Sequence, residues 1–182
     1  MDSEPRTQNS EPDLMARESE ILEKSAQVGE RLRARASTLA VAESCTGGGL
    51  ADAITDIPGS SDYFLGGIVS YSNSAKQRLL GVDPGTLDKH GAVSPQVARQ
   101  MAEGVRKAFG ADFGAGITGI VGPGGGTAEK PVGLVYIAVA SRGGVDVQRH
   151  RWSEDRRGNK LRSVEAALSA LLTAVEVLRI ED

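Results

Sequence analysis

Residues 38–49 have the sequence TLAVAESCTGGG, in which an aliphatic run gives way to polar residues and then to three glycines. Residues 38–43 have the length and composition of a buried strand, and residues 50–57 have the pattern of a helix. We therefore predict a strand, a glycine-rich turn and a helix in succession. This unit is typical of α/β proteins, whose sites usually lie where such strands end.

The segments on either side continue the alternation of strands and helices. An amphipathic helix is expected over residues 17–36, and Ser94-Pro95 opens a helix to Phe109, because proline is favoured at the first helical position. The other predicted elements are strand 63–71, a helix over 74–80 capped by Asn73, loop 81–93, strand 112–118, glycine-rich loop 119–130, hairpin strands 132–141 and 145–152, and helix 158–179. We expect an α/β fold, a three-layer α/β/α sandwich with a mixed, mostly parallel central sheet.

The chain of 182 residues is long enough for one ordinary domain but not for two. Residues 1–17 are rich in Ser, Glu, Pro and Asn with almost nothing apolar, so we predict a disordered tail there. Residues 18–182 are then expected to form a single domain, with 18–36 as its amino-terminal helix. A long amphipathic helix exposed at this end favours a homodimer.

Composition and charge exclude several classes of function. The formal net charge of −3 gives no general attraction for nucleic acid, and the single cysteine allows neither an intramolecular disulfide nor a thiolate-rich metal site. No run approaches the ~20 apolar residues of a membrane-spanning helix, and residues 1–20 lack the features of a secretory signal. We expect a cytoplasmic protein without a metal site and without nucleic-acid or membrane partners.

Ser44 lies where the first strand gives way to the glycine-rich turn. Backbone N–H groups of residues 46–48 could hold a phosphate or a developing oxyanion beside it. The alternative is that Ser44 or Thr46 only caps the following helix. Cys45 is a rival nucleophile if the helix start lowers its pKa, and otherwise a small buried hydrophobic residue.

A serine nucleophile needs a base, and the two histidines, His90 and His150, lie in contexts that do not favour a Ser-His-Asp arrangement. Lys76 stands near the start of a helix, where the helix dipole and partial burial would lower its pKa. Tyr71 ends the preceding strand and could relay a proton. The alternative is a solvated Lys76 and a packed Tyr71.

Two further segments carry possible binding groups. Residues 118–126, TGIVGPGGG, follow a strand and lie at the same sheet edge as Ser44 if the two strands run parallel. They match neither a dinucleotide fingerprint nor a P-loop, and simple loop flexibility is the alternative. Residues 155–162, DRRGNKLR, place four cations at the start of the last helix, which suggests an anion site, although a solvated charged face is the commoner explanation of such a run.

Five blocks of the sequence together resemble the CinA carboxy-terminal domain family, the family of nicotinamide-nucleotide amidases. The blocks are AESCTGG (42–48), YSNSAK (71–76), LGV (80–82), GAVS (91–94) and TGIVGPGG (118–125). The resemblance runs in order over about residues 38–178, and it departs from the family at residues 153–156, SEDR, where a Gly-Asp-Arg-like segment is expected. Because about 37 residues precede the first strand, we expect the stand-alone form, without the additional amino-terminal domain of many members.

The resemblance implies hydrolysis of nicotinamide mononucleotide to nicotinic acid mononucleotide and ammonia, a step of pyridine-nucleotide salvage that uses no metal or organic cofactor. It implies Ser44 as the nucleophile, Lys76 as the base and Tyr71 as their hydrogen-bonding partner. The residues predicted to bind the nucleotide substrate are Cys45, Thr46, Gly47, Gly48, Asn73, Thr118, Gly119, Gly122, Arg156 and Arg162. We assign its phosphate to glycine-loop amides with Arg156 or Arg162, because a partly desolvated anion needs paired donors.

Two other functions are compatible with the same residues. A non-catalytic nucleotide-binding or competence-related interaction module would keep the glycine loops but would need no base. A cysteine-dependent amidase would use Cys45 in place of Ser44.

Overall fold

The computed structural model describes residues 10–177. The helices are α1 (Glu11–Ala34), α2 (Gly49–Thr55), α3 (Asn73–Leu80), α4 (Pro84–His90), α5 (Pro95–Phe109) and α6 (Arg156–Val177), with a 3-10 turn at Ser60–Asp62. The strands are β1 (Leu39–Glu43), β2 (Phe64–Val69), β3 (Phe113–Gly119), β4 (Leu134–Ser141) and β5 (Gly144–Arg151). None of the helices in this range combines the length and apolar composition needed to cross a membrane.

The five strands form one mixed sheet in the order β2-β1-β3-β4-β5. Strand β1 pairs in parallel with β2 and β3, and β4 is antiparallel to both of its neighbours, so only β4 runs against the others. Helices α1, α2 and α6 share a core with one face of the sheet, while α3, α4 and α5 share a core with the other. The predicted three-layer α/β/α sandwich and the β4–β5 hairpin are therefore confirmed.

Strand β1 lies at the centre of this arrangement because alternate residues serve opposite faces of the sheet. Leu39 and Val41 pack into the core beneath α1, α2 and α6, whereas Ala40 and Ala42 pack into the core beneath α3, α4 and α5. All five residues of the strand are buried. A strand buried on both faces explains why its sequence is a continuous aliphatic run.

Helix α1 begins at Glu11, earlier than the predicted start near Arg17, so the predicted tail is wrong for residues 11–17. The Ser10 side chain accepts a hydrogen bond from the Asp13 N–H at 3.4 Å, and Pro12 stands in the first turn. Ion pairs of Arg17 with Glu154 and Glu165 then hold this turn against α6. Capping and long-range pairing therefore order a segment of polar composition. The rest of the predicted tail, residues 1–9, lies outside the described residues.

Two local predictions on the other side of the sheet are also wrong. The predicted loop 81–93 contains helix α4, whose start is capped by Asp83, the acceptor of a 2.7 Å hydrogen bond from the Thr86 N–H. The cap of α3 is Ser72 and not Asn73, since the Ser72 hydroxyl accepts from the Ala75 N–H at 3.1 Å. In both cases the side chain one residue before the helix makes the capping bond.

Helix α3 is held in place by a close approach to α5. A Cβ atom added at Gly104 of α5 would lie 2.0 Å from the carbonyl oxygen of Leu80, the last residue of α3. Only glycine allows the two backbones to come this near. The position of α3, and of every side chain that it carries, therefore depends on Gly104.

We predict that Gly104→Ala lowers the free energy of unfolding by about 2 kcal/mol, because the destabilisation from overpacking exceeds the stabilisation from the higher helix propensity of alanine. Urea unfolding of the two proteins measures this difference. The matched control is Gly124→Ala, since a Cβ at Gly124 meets no atom within 4 Å. Equal stability of the Gly104 variant and wild type would contradict the close approach.

Candidate functional site

The carboxyl ends of β1 and β3 bring the predicted nucleophile and base together. Ser44 follows the last residue of β1, and its N–H donates to the Ile117 carbonyl of β3 at 3.0 Å, which continues the parallel pairing. From the first turn of α3, the Lys76 Nζ donates a 3.0 Å hydrogen bond to the Ser44 Oγ. A proton can therefore pass directly between the two side chains.

The environment of Lys76 disfavours its charged form. The side chain is 1% exposed, and its other hydrogen bonds go to the backbone carbonyl oxygens of Ser70, at 2.7 Å, and Tyr71, at 3.5 Å. Burial lowers the pKa of Lys76 from its ordinary value. The fraction of neutral amine, which is the form that accepts a proton, is raised accordingly.

The lowered pKa of Lys76 gives the stability of the protein a defined pH dependence. Between this pKa and the ordinary value of about 10.4, the unfolded chain binds one more proton than the folded chain, so stability rises with pH by up to about 1.4 kcal/mol per unit. We predict that Lys76→Met removes this rise and is more stable relative to wild type at lower pH. Urea unfolding at several pH values measures it, and parallel profiles for the two proteins would contradict it.

A buried carboxylate shapes the turn that carries Ser44. Glu43 is 1% exposed, and its side chain accepts hydrogen bonds from the N–H groups of Gly48 at 3.1 Å, Leu50 at 3.1 Å and Ala51 at 2.9 Å. Three donors at the start of α2 satisfy this charge in place of water. The turn of residues 44–48 is thereby tied to the strand that precedes it.

This arrangement corrects the prediction that the amides of residues 46–48 are free to bind an anion. The Gly48 N–H is used by Glu43, and the Gly47 N–H donates to the Ser44 carbonyl at 3.1 Å. Within residues 10–177 the Thr46 N–H has no acceptor, and the Cys45 N–H has none outside its own thiol. These two donors directly follow Ser44, where a developing oxyanion would form.

We predict that Glu43→Gln destabilises the protein by about 2 kcal/mol. The glutamine amide has one acceptor oxygen where the carboxylate has two, and its NH2 group would face backbone N–H groups that are themselves donors. The midpoint of thermal unfolding should fall by about 4–8 °C. Glu103 on α5 provides the control, because its side chain is exposed and Glu103→Gln should leave the midpoint unchanged. A midpoint of Glu43→Gln equal to that of wild type would contradict the capping role.

Cys45 is not poised to act as a nucleophile. Its side chain belongs to the core that packs beneath α1, α2 and α6. Burial raises the pKa of its thiol to about 12. A protonated, buried thiol is a poor nucleophile, so the small hydrophobic interpretation of Cys45 fits the structure better. Only its backbone N–H belongs to the candidate site.

Tyr71 and Arg156 meet at the solvent-facing side of the site. The Tyr71 side chain is 65% exposed, and its hydroxyl accepts a 3.4 Å hydrogen bond from Arg156 Nη2. Arg156 Nη1 donates to the Gly122 carbonyl at 2.5 Å. The structure therefore corrects the expected role of Tyr71. The backbone carbonyl of Tyr71 accepts a hydrogen bond from Lys76, whereas its hydroxyl bonds to Arg156 and not to Ser44 or Lys76.

Arg162, one of the two arginines considered for the phosphate, is engaged by acidic side chains. Its Nε lies 2.8 Å from Glu154, and its Nη1 lies 3.9 Å from Glu165. Both acids also pair with Arg17 of α1. Arg162 therefore joins α6 to α1, and the predicted role of Arg162 in binding the substrate is replaced by a structural one.

The remaining predicted residues have mixed placements. The Thr118 hydroxyl donates to the Ala92 carbonyl at 2.8 Å, which ties the segment after α4 to β3. A Cβ at Gly119 would lie 2.8 Å from the Leu134 carbonyl oxygen, so this glycine permits strand pairing. Asn73 is exposed and its side chain makes no hydrogen bond with residues 10–177. No three His, Cys, Asp or Glu side chains in this range group as a metal site.

Beside the turn of residues 44–48 lies a groove of about 1110 Å³, enclosed by α1, α2 and α6. Its lining includes Thr46, Gly47, Arg156, Arg157 and Lys160. Neither Glu43 nor Lys160 is predicted from the sequence as an individual site residue. A carboxylate within an aliphatic strand was a usable signal for Glu43, whereas nothing in the spacing separated Lys160 from its basic neighbours.

Comparisons with known proteins agree with this fold. Residues 22–175 match the family model of the CinA C-terminal domain, and the chain belongs to that family, whose members include amidohydrolases. It is similar to CinA-like proteins of Microcystis aeruginosa, with 54% identity over 155 residues, and Chlorobaculum tepidum, with 54% identity over 147 residues. These alignments cover 85% and 78% of this chain but 36% and 35% of the relatives, so the chain spans about a third of their length.

Solved structures show the same similarity in three dimensions. The competence/damage inducible protein CihA from Agrobacterium tumefaciens superposes with a TM-score of 0.83 and 42% identity, over 86% of this chain and 96% of that one. A CinA superfamily protein from Escherichia coli gives a TM-score of 0.82 and 30% identity, over 92% and 94% of the two chains.

Proposed function

We propose that this chain is an amidohydrolase that converts nicotinamide mononucleotide to nicotinic acid mononucleotide and ammonia. The observation that carries the proposal is the 3.0 Å hydrogen bond between the buried amine of Lys76 and the Ser44 hydroxyl. Membership of the CinA C-terminal domain family supports the reaction, because that family includes nicotinamide-nucleotide amidases. The substrate itself is inferred from the family.

In the first half of the proposed reaction, neutral Lys76 takes the proton of the Ser44 hydroxyl as the Ser44 oxygen attacks the carboxamide carbon. The negative charge that develops on the carboxamide oxygen is held by the N–H groups of Cys45 and Thr46. The Lys76 ammonium then returns its proton to the leaving nitrogen, and ammonia departs. The product of this half is an ester between Ser44 and the nicotinoyl group.

In the second half, water attacks the ester carbonyl while Lys76 accepts one of its protons. The same two N–H groups stabilise the second oxyanion, and collapse of this intermediate returns the proton to the Ser44 oxygen. Nicotinic acid mononucleotide leaves as the carboxylate. Arg156 and Tyr71, joined by their 3.4 Å hydrogen bond at the solvent-facing side, contact the nucleotide.

We predict that Lys76→Ala lowers ammonia release from nicotinamide mononucleotide by a factor of about 10³ or more, and that Lys76→Arg is equally impaired because guanidinium does not lose its proton. For wild type, kcat/KM should rise with pH and level off above the lowered pKa of Lys76. Unchanged activity in Lys76→Ala would remove the lysine from the mechanism. Nucleotide binding without ammonia release by wild type would favour the non-catalytic module.

We predict that Ser44→Ala abolishes turnover, whereas Cys45→Ala stays within about tenfold of wild type because its backbone N–H is retained. Ammonia release by the two variants, measured at equal concentrations of folded protein, compares them. Loss of turnover only in Cys45→Ala would reverse the assignment of the nucleophile and favour a cysteine-dependent amidase.

A further inference from the structure

The first turns of α6 present one cation, Lys160, that has no partner in the described part of the chain. Lys160 is partly buried, and its Nζ lies 3.6 Å from the position that a Cβ on Gly47 would occupy. It makes no hydrogen bond or ion pair with residues 10–177. The other cations of this segment are all engaged, as Arg157 is with Glu18 at 2.7 Å. An ammonium that is partly removed from water attracts an anion when no protein carboxylate supplies one.

A second, independent feature of the same groove is an unsatisfied hydroxyl. Thr46 is 1% exposed, and its Oγ1 has no hydrogen-bond partner among residues 10–177. Thr46, Gly47 and Lys160 line the groove together. Because buried hydroxyl groups in proteins nearly always have a partner, this one is suited to a ligand that accepts hydrogen bonds.

Charge in the groove restricts where an anion can sit. Of the acidic side chains that line it, Glu18 is neutralised by Arg157, whereas Asp52 and Asp56 lie on α2. An anion is therefore favoured beside Lys160 and disfavoured along the exposed side of α2. The glycine at position 47 leaves the approach to the ammonium open, since any side chain there would lie close to it.

The Lys160 end of the groove is also close to the catalytic turn. The Lys160 Nζ lies 3.6 Å from the Cβ position of Gly47, which is three residues after Ser44 in the same turn. Thr46 stands two positions after Ser44, a separation of at most about 7 Å along the chain. A nucleotide whose carboxamide reaches Ser44 can therefore extend a second group toward Lys160.

We propose that Lys160, with the Thr46 hydroxyl, binds the phosphate monoester of the nucleotide and makes the protein select nucleotide over nucleoside. This inference rests on the proposed function and assigns the phosphate to a residue other than Arg156 or Arg162. The ammonium supplies charge and the hydroxyl supplies a directed hydrogen bond, the combination that a phosphate dianion requires.

The test compares ammonia release from nicotinamide mononucleotide and from nicotinamide riboside, which lacks the phosphate. Lys160→Met should raise KM for the nucleotide by about tenfold to a hundredfold and leave KM for the riboside unchanged, since a charge-assisted hydrogen bond has this effect. Lys160→Arg should retain most of the preference for the nucleotide. Lys107→Met is the matched control, because it removes an exposed lysine of α5 outside the groove and should leave both KM values at the wild-type level.

Equal losses on both substrates in Lys160→Met, or no change on either, would overturn the inference. A wild type that releases no ammonia from either substrate would overturn the proposed function instead, and calorimetry then decides the subsite. In that case, binding of nicotinamide mononucleotide and of inorganic phosphate to wild type that is lost in Lys160→Met would support it. Binding that persists in Lys160→Met, or no binding to wild type, would refute it.

Discussion

The buried carboxylate of Glu43 is the interaction on which the rest of the site depends. Three N–H groups at the start of α2 donate to this carboxylate, so the chain after β1 must turn sharply and bring the start of α2 back to the end of β1. The turn leaves Ser44 at the end of the sheet, and the two N–H groups that follow it donate to no other residue in the described part of the chain. The Glu43 carboxylate thus occupies some backbone N–H donors and, by fixing the turn, leaves others available for catalysis.

Lys76 shows the complementary arrangement, in which a charge is buried where only neutral acceptors surround it. Its hydrogen-bond partners, one hydroxyl and two backbone carbonyl oxygens, carry no net charge, and burial of the side chain lowers its pKa. The fold maintains this unfavourable placement by fixing α3 against α5 at Gly104. Local instability at a reactive group is thus offset by packing elsewhere.

Features set by local pattern could be predicted from the sequence. The aliphatic run of β1, the Ser94-Pro95 start of α5 and the hairpin of β4 and β5 follow from short-range rules. The parallel pairing of β1 with β3 places the Thr118 end of β3 beside Ser44. Features that depend on which groups meet could not be predicted in this way. The amides occupied by Glu43 and the Tyr71–Arg156 contact are set by tertiary packing.

The basic segment at the start of α6 illustrates this limit. Four cations within eight residues look equivalent in sequence, yet Arg157 and Arg162 pair with acids while Lys160 has no partner within the described part of the chain. The difference arises because α1 packs against α6 and brings its own charges to some positions and not to others. No rule confined to the segment itself could separate these residues.

The pairing of α1 with α6 has a consequence for the protein in acid. Burial alone would raise the pKa of Glu165, but its hydrogen bond with Lys24 and the charges of Lys24, Arg17 and Arg162 outweigh burial and lower it. The attachment is therefore strongest above the ordinary pKa of a glutamate and weakens as protonation of Glu165 proceeds. Since α1 forms one wall of the groove, acidification loosens that wall beside the site.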